Sequence, residues 1–109
     1  TMAWACLVLA ILFEVCGTTA MKLSDGLHKP GPSVVVFACY GVSIALLTVA
    51  VRSIDIGIAY AIWSALGMTL ITAIGILWFA EPASAWKIGC IALIGIGVVG
   101  LHLESRLGA

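Results

Sequence analysis

The run AILFEVCGTTAMK, from Ala10 to Lys22, places one carboxylate, Glu14, in a stretch that otherwise suits the interior of a membrane. No basic residue lies within several positions of it. Holding an acid at the centre of a spanning helix costs roughly 2.5–3.5 kcal/mol on insertion scales, and such residues mark binding sites and proton paths. At helical spacing Leu7, Ala10, Ile11, Gly17, Thr18 and Met21 share its stripe. Small Ala10 and Gly17 leave room beside the carboxylate, and Thr18 sets a hydroxyl one turn away. Further along, Tyr60, Trp63, Ser64 and Gly67 repeat the i, i+3, i+4, i+7 pattern, and Tyr40 lies in the run between. One acid, aromatic walls and a few hydroxyls suit a lipophilic cation, with ring faces adding about 0.5–2 kcal/mol each. The competing reading is that the aromatics only pack and that Glu14 bonds a neighbouring helix.

The elements that must hold these residues follow from composition. The 109 residues are 63% hydrophobic and 9% charged, with a mean hydropathy of +1.25, against roughly 25% charged in soluble domains. Apolar runs over 4–21, 33–51, 56–79 and 85–103 each approach the roughly 20 residues that a helix needs to cross the bilayer. The expectation is a single all-α, four-helix transmembrane domain over 1–109, with no room for a soluble domain. The first run reads as a mature span and not a signal peptide, since it lacks a basic leader and holds Glu14. Pro30 and Pro32 precede the second span and Pro82 the fourth, while Asp55 and Ser84 are candidate N-caps. Trp4, Trp78 and Trp86 fall near span ends, where indoles favour the headgroup layer; Trp63 is too deep for that belt. Cys6, Cys16, Cys39 and Cys90 sit within spans at no metal-ligand spacing and read as small hydrophobes. His28 and His102 read as solvated or interfacial. No nucleophile–base pair or metal constellation points to an enzyme.

Charge carries a message about topology. Lys22, Lys29 and Lys87 fall on one side, Arg52, Arg106 and the amino terminus on the other. So small a bias gives the positive-inside rule little to act on, which makes insertion in both orientations a reasonable expectation. Four short helices enclose little volume, and a polar path through lipid needs walls on all sides. A homodimer would bring two Glu14 carboxylates to one cavity. Proton and cation would then compete for a pair that titrates as a unit. An antiparallel pair would also supply, between subunits, the inverted repeat that single-chain transporters build internally.

These residues resemble the small multidrug resistance transporters almost end to end. The likeness rests on Glu14-Val-x-Gly17-Thr18-Thr-x-Met-Lys22, Lys22-x-Ser24-x-Gly26, Pro32-Ser33, Tyr40 and Gly57-Ile-Ala-Tyr60-Ala-Ile-Trp63-Ser64. It implies an antiparallel homodimer in the bacterial inner membrane that exports hydrophobic and quaternary ammonium cations against protons, the coupling ion, with no other cofactor. By the same resemblance Glu14 binds proton and substrate. Ala10, Ile11, Gly17, Thr18, Tyr40, Tyr60, Trp63 and Ser64 line the site. Gly67 bends the third helix, and Leu93 and Gly97 lie in a dimer seam where small residues permit close helix approach.

The chain also departs from the family pattern. Ala65 and Cys90 stand where glycine is common, Ile44 where an aromatic often lines the second helix, and Gly31 in place of a usual tryptophan. Gly17-Thr18 and Trp63-Ser64 resemble the quaternary-ammonium branch and not the guanidinium branch, which usually carries tryptophan at the first position and threonine after Trp63. A quaternary ammonium offers no N–H donor, so charge and aromatic surface dominate its recognition. Export of guanidinyl compounds, a heterodimer subunit, a channel and a non-transporting structural subunit are the alternatives.

Overall fold

The apolar runs fold as four α-helices in the computed structural model, which describes residues 2–106: α1 (Met2–Leu23), α2 (Pro30–Ala50), α3 (Ile56–Trp78) and α4 (Ala85–Arg106). Each is long and apolar enough to cross a membrane. The helices form two hairpin units, one ending at Asp55 and the other beginning at Ile56.

In the first unit α1 packs along α2. Leu7, Ala10 and Ile11 on α1 are fully buried, and Val15 nearly so. On α2 the buried positions are Val36, Ser43 and Ala50, spaced by seven, so one narrow seam faces inward. The remaining surface carries exposed Val34, Phe37, Val42 and Ile44. That arrangement suits a helix whose solvent on one side is lipid and whose backbone bonds are satisfied internally.

α2 begins earlier than the apolar run indicates. Pro30 opens the helix and Lys29 is its extended N-cap, because proline lacks only an N–H that the first turn leaves unbonded in any case. The α1–α2 connection is a tight left-handed turn. Asp25, Gly26 and Leu27 have φ of 51°, 68° and 70°, a region costing non-glycine residues roughly 1–2 kcal/mol each. Ser24 offsets this from inside the turn. It is fully buried, donates to the Met21 carbonyl at 2.7 Å and accepts the Leu27 N–H at 3.0 Å. Its carbonyl takes the Lys29 N–H at 3.0 Å. The Lys22-x-Ser24-x-Gly26 signature is thus a piece of turn chemistry. Exposed His28 closes it with Nδ1 2.7 Å from the Asp25 carbonyl.

In the second unit α3 packs against α4 more sparsely. α3 runs unbroken through buried Gly67. Its end at Trp78 is closed by the Gly75 carbonyl, which accepts both the Phe79 and Glu81 N–H groups at 3.1 and 3.0 Å, with Ala80 at φ 55°. The Glu81 carboxylate folds onto Gly75 so closely that a β-carbon there would lie 2.9 Å from Cδ. Ser84 caps α4 as expected, its Oγ accepting the Lys87 N–H at 3.1 Å, and Lys87 Nζ donates to the Pro82 carbonyl at 2.7 Å. Trp78 stacks on Phe79 with centroids 5.7 Å apart. Trp78 and Trp86 are both exposed, as interfacial indoles are. The side chain of Arg106 lies outside the described residues.

Candidate functional site

Glu14 is half-buried on α1, and a short hydrogen-bonded chain leads from it to α2. Thr18, one turn on, donates from Oγ1 to Glu14 Oε1 at 3.1 Å. The same Oγ1 lies 2.6 Å from the Tyr40 hydroxyl of α2. Three residues singled out by type and spacing therefore join in one polar line across the hairpin.

Gly17 is what lets Tyr40 reach that position. A β-carbon on Gly17 would lie 2.6 Å from both Cδ1 and Cε1 of the Tyr40 ring and 3.3 Å from Cβ of Cys39. Real β-carbons do not approach so closely, so the Cδ1–Cε1 side of the ring lies over bare backbone. The glycine at this point serves close approach and not turn geometry.

Ala10 and Ile11 share the stripe of Glu14 but are wholly buried. They form the packed layer one turn before the carboxylate. Ser43 of α2, which type and spacing did not single out, is nearly fully buried and donates to the Ala10 carbonyl at 2.7 Å. Its position three residues after Tyr40 was the available signal, since that spacing puts both on one face of α2.

In the second unit Tyr60, Trp63, Ser64 and Gly67 all lie on α3. The Tyr60 side chain is 58% exposed, Trp63 is half-buried and Ser64 exposed. On α4, Leu93 is 69% exposed, and a β-carbon on Gly97 would meet nothing within 4 Å. Cys6, Cys16, Cys39 and Cys90 are free thiols.

A carboxylate with one oxygen hydrogen-bonded, half-open within a spanning helix, can take a proton or face a cation. A sequence profile described as Small Multidrug Resistance protein matches residues 2–94, which covers all of α1, α2 and α3. The chain belongs to the small multidrug resistance family. Among curated family members it is similar to the uncharacterized membrane protein YvaE of Bacillus subtilis (strain 168), 50% identical over 97% of this chain and 89% of that one. The quaternary ammonium compound-resistance protein QacE of Escherichia coli is 43% identical over 97% of this chain and 96% of its own. A guanidinium exporter of Escherichia coli O6:H1 is 36% identical over 96% of this chain and its whole length. The small multidrug resistance assignment accords with four membrane-spanning helices and makes this a multi-pass membrane protein.

Proposed function

We propose that this protein is a proton-coupled antiporter of the inner membrane that exports hydrophobic and quaternary ammonium cations as an antiparallel homodimer. The observation that carries the reading is the half-buried Glu14 carboxylate, in a spanning helix, with Thr18 bonded to one of its oxygens. The acid binds either a proton or a cation. Its exclusivity couples inward proton flow to outward cation movement, because a site emptied of one is filled by the other. Tyr40, Tyr60 and Trp63 supply ring faces to the cation, Ser64 and Thr18 hydroxyls, and Gly17 the seat for the Tyr40 ring, with Ala10 and Ile11 as the packed wall behind. Gly67 is the point at which α3 yields during the cycle. Leu93 and Gly97 open a face of α4 to the second copy.

The kinship with a quaternary ammonium resistance protein supports the substrate class. The guanidinium exporter is the relative that favours the second reading. Gly17-Thr18 and Trp63-Ser64 weigh against that reading, since both pairs resemble the quaternary-ammonium branch, whose ligands are recognised by charge and aromatic surface without an N–H donor. Transport in liposomes separates the cases. With an acidic interior, the chain is expected to drive ethidium uptake that collapses when the pH gradient is dissipated, and guanidinium uptake should be weak. Guanidinium exchange in preference to ethidium would install the second reading. Flux independent of the proton gradient would mean a channel, and no flux a structural subunit or a missing heterodimer partner.

A further inference from the structure

We propose that Thr18 is a positioning residue that ties the charge state of Glu14 to the direction of the Tyr40 hydroxyl. The inference rests on Glu14 being the shared proton and cation site. A threonine hydroxyl has one hydrogen and accepting lone pairs. A carboxylate accepts only, so while Glu14 is ionised the Thr18 hydrogen is committed to Oε1 at 3.1 Å. The 2.6 Å contact must then be Tyr40 O–H donating to Thr18 Oγ1. Both O–H dipoles point at the negative charge, and each polarises the other.

When Glu14 takes a proton on Oε1, the carboxyl becomes a donor. Thr18 then accepts from it and turns its own hydrogen toward the Tyr40 oxygen. The Tyr40 O–H is displaced from Thr18 and swings off the line. No heavy atom need move: one proton gained at Glu14 reverses the Thr18 hydroxyl and releases the Tyr40 O–H donor across the hairpin. Gly17 keeps this geometry tight, since the ring cannot slide away without leaving the backbone it covers.

The groups facing this line from α2 that titrate are Tyr40 itself and Cys39, which touches the Gly17 position. On α1, Cys16 is exposed and Lys22 stands two turns beyond Glu14. Neither thiol takes part in this chain of bonds, and the switch needs only the Glu14 proton.

Binding of tetraphenylphosphonium, which has no hydrogen-bonding group, by the purified full chain between about pH 5 and 9 tests this. In the wild type, binding is lost as pH falls. Thr18→Val takes a charge-assisted bond from the ionised carboxylate and only a neutral one from the protonated form, so the loss should set in at higher pH, by ~0.5–1 unit, the difference between the two. Thr18→Ser restores the wild-type midpoint. Tyr40→Phe keeps the ring over Gly17 and shifts the midpoint less, in the same direction, and has no effect once Thr18 is valine. Affinity lowered by one factor at every pH in Thr18→Val, an unmoved midpoint in Tyr40→Phe, or additive shifts in the double variant would each overturn the proposal while leaving Glu14 as the shared site. Should Thr18→Val fail to fold, Tyr40→Phe against wild type decides. Wild-type binding that ignores pH would remove the functional reading itself, and this inference with it.

Discussion

At the scale of single residues, Glu14 and Thr18 are legible as a pair because i, i+4 is a contact within one helix. Tyr40 is legible only as a type. Its bond to Thr18 depends on how α1 and α2 are set against one another, which no single helix period encodes. Gly17 settles that register, for only a residue without a β-carbon admits the ring at 2.6 Å. Gly17→Ala should therefore push Tyr40 off Thr18. An overpacked site costs about 1–3 kcal/mol, and affinity for a lipophilic cation should fall about tenfold, equivalent to ~1.4 kcal/mol. A titration against tetraphenylphosphonium at fixed pH checks it; undiminished binding would mean that the ring's seat is irrelevant to the site. Ala10 and Ile11 teach the complementary lesson. A stripe beside a functional residue is partly packing, and burial distinguishes the two where spacing does not.

At the scale of elements, composition locates all four helices, because length and apolarity are properties of a run and need no partner. Their ends are less legible. Pro30 reads as a breaker and proves to be the first helical residue, while the left-handed turn from Asp25 to Leu27 places two non-glycine residues at positive φ that local preference disfavours. Beyond apolar packing, α1 and α2 are joined by the Thr18–Tyr40 contact and by the Ser43 bond to the Ala10 carbonyl. That carbonyl belongs to a helix as well, so losing Ser43 does not orphan it. Ser43→Ala should then cost only about 0.6–1.7 kcal/mol, the range for polar contacts between membrane helices. Unfolding in mixed micelles measures this, and a loss several times larger would assign Ser43 a role beyond joining α1 to α2.

At the scale of the whole molecule, the near-balanced charge of the connections and the open face of α4 bear on assembly. Leu93 stands exposed and Gly97 has empty space over it. A β-carbon at position 97 would meet nothing within 4 Å, so Gly97→Leu should leave helix content intact. If that face meets a second copy, the variant should weaken dimerisation at least tenfold in lipid, read by energy transfer between labelled chains; unchanged association would move the seam elsewhere. A seam of that kind is not legible from helix patterns, since lipid-facing and partner-facing surfaces are equally apolar. The central claim nonetheless rests on one carboxylate serving two ligands. Its most direct test is proton release on adding saturating tetraphenylphosphonium to the purified protein in weakly buffered micelles. The account predicts protons released by the wild type and none by Glu14→Gln. Cation binding with no proton release, or equal release from the variant, would contradict it.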